Sequence, residues 1–197
     1  NVLAIAFLYE TMLHNWGHTL IATVAMVIAS FMFVAVSSYV VGLVGTSNNP
    51  VSGMTISALL GTAALFLVLG FKGDSAILAT LGVAGVVCCA ACTAGDTSQD
   101  LKTGAILGAT PRALQIAQLL GAVVPAFILA PTLTLLHNAY GIGDKLKAPQ
   151  ATLFASLTKA IFGDGTLPMD KLAIGAAFGV TVIIIDRVFM KNSKFPA

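Results

Sequence analysis

The stretch TLIATVAMVIASFMFVAVSSYVVGLV (residues 19–44), followed at once by GTSNNPVSG (residues 45–53), decides the class of this chain. The first part contains no charged side chain and nothing more polar than Ser, Thr and Tyr. A helix needs about 20 apolar residues to cross a bilayer, and this run exceeds that length. The second part is rich in Gly, Asn and Pro, residues that leave the helix. Lipid offers no hydrogen bonds, so backbone that unwinds at membrane depth must be shielded by protein or line a wet cavity.

Composition extends this reading to the whole chain. The sequence is 57% hydrophobic and 9% charged, with a mean hydropathy of +0.95. Soluble domains carry roughly 25% charged residues. The expectation is therefore an all-α, polytopic integral membrane protein with the lipid bilayer as its surroundings. The net charge of +2 is spread along the chain, so nucleic acid is not expected as a partner. Residues 2–8 are apolar without a basic lead-in, so no signal peptide is expected. The chain starts at Asn1 and ends in Lys191, Lys194 and Phe195-Pro196-Ala197, which resembles a loop cut short and suggests a fragment.

Hydropathy and punctuation place spans at 19–44, 54–71, 77–93, 105–136 and 172–190, with 2–8 as part of another. That makes about five to six transmembrane helices with polar broken or re-entrant segments between them. Pro111, Pro125 and Pro131 predict that 105–136 is kinked or broken. Residues 150–162 have apolar side chains at helical spacing and one charge, Lys159, which suits a helix on the membrane surface or against the bundle. The charge rule gives no orientation. Lys102, Arg112, Arg187, Lys191 and Lys194 fall on one side, and Lys72, Lys145, Lys147, Lys159 and Lys171 on the other. Gly104-x-x-x-Gly108 and Gly175-x-x-x-Gly179 are spacings that allow helices to approach closely.

A second polar segment, GDTSQDLKTG (residues 95–104), lies two spans after the first. Both should emerge on the same side or, if partly re-entrant, converge on one cavity. Apolar helices interrupted in this way are how many secondary transporters build a substrate site. If the second segment is helical, Asp96, Gln99, Asp100 and Thr103 share a face suited to a cation, an amine or a proton. The alternative is an ordinary loop with solvated charges. Arg112, Gln115 and Gln118 form a stripe just after Pro111. Arg112 is suited to pairing with Asp96 or Asp100, to gripping a substrate carboxylate, or simply to reaching the headgroups. Ser47, Asn48 and Asn49 offer amides, hydroxyls and free backbone groups at the start of a helix, or else make a plain turn.

Two further constellations have bland readings. Glu10, His14 and His18 fall at i, i+4 and i+8, which suits a proton relay or a metal, but equally a polar helix end beside Trp16 at the headgroups. Cys88, Cys89 and Cys92 suit a soft metal, or packing as small buried residues. No P-loop, H-E-x-x-H or G-x-S-x-G sequence occurs, so nucleotide-driven transport by this chain and familiar hydrolytic enzymes lack support. No cofactor is expected.

Residues 41–55 (VGLVGTSNNPVSGMT) resemble one signature of the oligopeptide transporter family. Residues 94–118, from Ala94-Gly95-Asp96 through Gly108-Ala109-Thr110-Pro111-Arg112 to Gln118, resemble a second. The resemblance implies a secondary carrier with many spans, of which this chain is one portion and the remaining part of the transporter its partner. It implies small peptide, peptide-like or metal-chelate substrates taken up with protons. The physics of the matched positions assigns substrate contacts to Ser47, Asn48, Asn49, Gln99, Arg112 and Gln115, and proton coupling to Asp96 and Asp100. Short loops point to a bacterial inner (plasma) membrane. A passive channel, an intramembrane metal enzyme and a structural subunit are the competing readings.

Overall fold

The computed structural model describes residues 2–13, 16–143, 145–163 and 169–189. They form seven α-helices: α1 (Val2–Leu13), α2 (Trp16–Val44), α3 (Val51–Val68), α4 (Asp74–Leu107), α5 (Pro111–Tyr140), α6 (Pro149–Phe162) and α7 (Met169–Phe189). A short 3-10 turn, Thr46–Asn48, joins α2 to α3. Four helices, α2 to α5, are long and apolar enough to cross a membrane, and 2–11 and 173–185 are shorter apolar stretches. The protein is an all-α polytopic membrane protein.

Helix α4 is the hub, packing against α2, α3, α1, α6 and the start of α5. The reason lies in its buried residues. Ala76, Ala79, Thr80, Val83, Ala84, Val87, Ala91 and Gly95 recur every three or four positions, so they form one stripe along the helix. Most are small. Lipid tails are as apolar as leucine, so membrane helices associate through close packing rather than water exclusion, and small side chains permit that closeness. Phe66, Leu59, Val83 and Val87 fill the centre. Tyr9 of α1 lies directly over Gly82, where an added Cβ would come within 2.8 Å of its ring.

The two ends of the bundle are closed differently. At one end, Phe71 stacks on Phe66 with ring centroids 4.8 Å apart, and His18 of α2 lies 3.8 Å from Phe71. Gly70 and Gly73 make this turn at φ of 79° and 74°, a left-handed conformation that favours glycine. At the other end, the Gly45–Pro50 loop crosses α4. Ser37 meets Ala91, and Thr46 meets Gln99, so α2 and α4 run side by side in the same direction.

The structure decides between alternatives that the sequence left open. The second polar segment does not break the helix, because α4 runs unbroken through 95–104 to Leu107. The chain breaks instead at Gly108, whose φ of 78° ends α4, and Pro111 opens α5 in its first turn. Pro125 and Pro131 then lie inside a continuous α5. Of the two settings expected for 150–162, α6 takes the bundle: Leu157 and Phe154 pack with Leu59, Leu81 and Ala84. Position 190, the end of the last expected span, lies outside the described residues.

Helix α5 touches only α4 and buries none of its residues, and α7 contacts no other element among the described residues. Ile174, Phe178 and Ile183 on α7 and Phe127 and Leu135 on α5 are exposed within this chain.

Candidate functional site

The site is built where the Gly45–Pro50 loop sits on α4. Gly45 turns the chain out of α2 at φ 81°. Asn49 then points back into the bundle, and its Nδ2 donates to Ser37 Oγ at 2.8 Å. Ser37, fully buried, donates in turn to the Ala91 carbonyl at 2.6 Å. Gly95 lies directly beneath, and a Cβ there would fall 2.8 Å from Asn49 Nδ2. Four residues on, Gln99 Oε1 accepts from the Thr46 N–H at 2.9 Å and also from Thr46 Oγ1. Two sequence segments 53 residues apart are thus joined by side chains of both.

Helix length sets the depth of this junction. Helix α3 carries the chain from one end of the bundle to the other in about 27 Å at 1.5 Å per residue, close to the hydrocarbon thickness of about 30 Å. Gly95 lies about 31 Å along α4 from its start, level with the loop. The stretch from Asp96 to Leu107 adds about 18 Å beyond that level. The polar last third of α4 therefore runs beyond the level of the loop, at one end of the bundle.

The first turns of α5 fold back along this part of α4. Asp100 Oδ2 accepts from Gln118 Nε2 at 2.7 Å, and Leu114 lies so close over Gly104 that any side chain there would overlap it. Asp96 is exposed with no hydrogen-bond partner in the described residues. Arg112 is exposed and forms no ion pair with Asp96 or Asp100 in the described residues, and Gln115 is exposed beside it. Ser47 and Asn48 face outward, with Asn48 Nδ2 donating to the Val44 carbonyl at 3.3 Å. Of the proposed contacts, the fold joins Asn49 and Gln99 to the loop–α4 junction and Asp100 to α5. It leaves Ser47, Asn48, Asp96, Arg112 and Gln115 open around them.

Glu10 and His18 lie at the opposite end. Glu10 Oε2 accepts from Thr19 Oγ1 at 2.8 Å, His18 is against Phe71, and His14 lies outside the described residues. Among the described residues no three His, Cys, Asp or Glu side chains come together to hold a metal. The three cysteines are free thiols. Cys89 lines a groove of about 570 Å³ between α2 and α4, together with Ser38, Thr93, Thr97 and Ser98. Sequence reasoning missed Ser37, Ser38 and Thr46. The Ser37-Ser38 doublet inside an otherwise apolar span was the available signal.

The Ser37 bridge makes a testable contribution. Ser37→Ala removes the acceptor for Asn49 and the donor to Ala91, leaving buried polar groups unmade. A loss of about 1–2 kcal/mol is expected, at the upper end for hydrogen bonds between membrane helices. Thermal unfolding of the detergent-solubilised protein measures it, and an unchanged midpoint would show the bridge to be incidental.

Comparison with known proteins fits this geometry. The profile described as OPT oligopeptide transporter protein matches residues 1–196. A putative oligopeptide transporter of Haemophilus influenzae is 32% identical over 194 residues, covering 88% of this chain and 30% of that protein. The probable metal-nicotianamine transporter YSL5 of rice is 28% identical, covering 86% of this chain and 28% of that protein. The iron-phytosiderophore transporter yellow stripe 1 of maize is 28% identical, covering 82% and 26%. The chain thus spans less than a third of the length of these relatives. No solved structure gives a significant match. A profile matched from residue 1 to residue 196, with its two signature segments bonded to each other, leaves one assignment: the chain belongs to the oligopeptide transporter family.

Proposed function

We propose that the full-length protein is a secondary active carrier that imports small peptides or metal–chelate complexes with protons, by alternating access. One observation carries this reading. Two polar signatures from different parts of the chain meet at one mouth of an apolar bundle, through the Thr46–Gln99 bond and the close approach of Asn49 to Gly95. A carrier needs such a junction, because substrate must be held where two wall elements meet and can separate. Loop and helix are joined here by a few hydrogen bonds, each worth about 1 kcal/mol, so separating them is cheap. Asp96 and Asp100 are the carboxylates at this mouth and are assigned to proton coupling. Ser47, Asn48, Gln99, Arg112 and Gln115 are assigned to substrate, with Asn49 holding the loop in place. The bacterial relative and the short loops favour a bacterial plasma membrane.

The test uses the full-length protein in proteoliposomes with an imposed proton gradient. Uptake of a labelled tripeptide and of a ferric chelate is followed with and without a protonophore. The expected result is accumulation of at least one substrate class that the protonophore abolishes. Uptake indifferent to the gradient would replace the symporter with a facilitator, and no uptake of either class would remove the substrate assignment.

A further inference from the structure

A second, smaller recess lies beside the loop–α4 junction, with a volume of about 220 Å³. Its walls are Val41, Gly42 and Gly45 on the α2 side and Ser98, Gln99, Lys102 and Thr103 on α4. Gln99 and Lys102 are its distinctive members. The Thr46 N–H can only donate, so the Gln99 atom it meets must be the carbonyl oxygen. That contact fixes the orientation of the amide. Both hydrogens on Gln99 Nε2 are left without an acceptor in the described residues.

Lys102 lies one turn from Ser98 in the same wall, and no carboxylate pairs with it among the described residues. The two hydroxyls of the recess are already turned to their own helix. Ser98 Oγ donates to the Ala94 carbonyl at 2.7 Å, and Thr103 Oγ1 donates to the Gln99 carbonyl at 3.0 Å. Two of the residues that line the recess thus carry donor groups without a partner among the described residues, the Lys102 ammonium and the Gln99 amide. A positive ammonium beside a neutral amide donor matches the single charge and two oxygens of a carboxylate. A recess of this volume has room for several waters, and so for the carboxylate end of one residue.

We propose that this recess binds a carboxylate of the transported substrate between Lys102 and Gln99. The assignment rests on the carrier reading above and narrows its substrates to compounds with a free carboxylate. Gly42 and Gly45 matter because they leave the α2 wall bare. A Cβ at Gly42 would meet nothing within 4 Å, so a larger side chain there can enter the recess without displacing protein atoms.

Equilibrium binding to the purified full-length protein tests this separately from transport. Two probe pairs are used: trialanine against its C-terminal amide, and a ferric complex of a polycarboxylate chelator against one of a hydroxamate chelator. The wild type should prefer the carboxylate member of at least one pair by about 10- to 100-fold, the worth of a charge-assisted hydrogen bond. Lys102→Gln should erase that preference, Lys102→Arg should keep most of it, and Gly42→Leu should abolish binding of the carboxylate member. Absence of preference in the wild type, or a preference unchanged in Lys102→Gln or Gly42→Leu, would overturn the proposal. Preference without gradient-driven uptake would remove the proton-coupled reading and leave the carboxylate recess standing. Uptake without preference would do the reverse.

Discussion

Gly95→Leu is expected to leave no stably folded protein. A Cβ at this position falls 2.8 Å from Asn49 Nδ2, 3.1 Å from Val41 Cγ2 and 3.4 Å from Ser37 Oγ. The Asn49 amide would have to move and Val41 of α2 to give way, with Ser37 already in contact behind them. If Asn49 gives way, its bond to Ser37 is lost and its amide is stranded. If α2 gives way, Ser37 leaves the Ala91 carbonyl, and the closest helix pair of the bundle opens. Overpacking by a methyl alone costs about 1–3 kcal/mol, and each buried hydrogen bond broken adds about 1 kcal/mol. A leucine adds three further carbons where there is no room for one. Against a net stability of about 5–15 kcal/mol, that sum with the extra carbons removes most of the margin. Gly85→Leu is the matched control, since that glycine of α4 is exposed and a Cβ there meets nothing within 4 Å. Size-exclusion profiles of both variants in detergent decide the matter. A monodisperse Gly95→Leu peak with a melting point near wild type would refute the packing argument.

Asp96→Asn and Asp100→Asn carry the second large effect, on energetics of transport. One proton moved down a gradient of one pH unit can drive about tenfold accumulation of substrate. If these carboxylates carry the proton, either substitution should bring the accumulation ratio to about one while substrate exchange across the membrane continues. Asp100 offers a clean separation of charge from structure. Its oxygen accepts from Gln118, and an asparagine oxygen can accept the same bond while binding no proton at neutral pH. Asp100→Ala loses both. Counterflow and gradient-driven uptake, measured side by side in proteoliposomes, give the answer. Wild-type accumulation by both single asparagine variants would end the coupling assignment.

What could be read from residues alone differs sharply along the chain. The loop at 45–50 was legible because Gly, Asn and Pro act locally, and a turn there needs no distant partner. The continuity of α4 through 95–104 was not. Hydropathy reports whether a segment prefers lipid, and Asp96, Gln99, Asp100 and Lys102 all prefer water. None of them forbids a helix, and Gln and Lys favour one. A polar stretch after an apolar one therefore looks like a loop, when it is the same helix leaving the membrane. The face shared by Asp96, Gln99, Asp100 and Thr103 followed from spacing. Its division did not, because Gln99 turns to the loop and Asp100 to α5, and those partners are 53 and 18 residues away. An ion pair with Asp96 or Asp100 is one of three readings the sequence leaves open for Arg112; no such pair forms among the described residues, and Gln118 takes the bond to Asp100.

The isolation of α5 bears on how the protein is made. Domains and helices emerge from the ribosome N-terminal first, and packed units can form before synthesis ends. Helices α1 to α4 already bury a shared interior, including Phe66, Val83 and Val87. Helix α5 has only its first turns fastened, through Leu114 on Gly104 and Gln118 on Asp100. The long apolar remainder, through Phe127 and Leu135, must be retained in the bilayer by its own hydropathy. The hairpin tip at Gly108–Thr110 thus fixes the start of α5 alone, and the apolar length beyond it is free to meet lipid or other parts of the transporter.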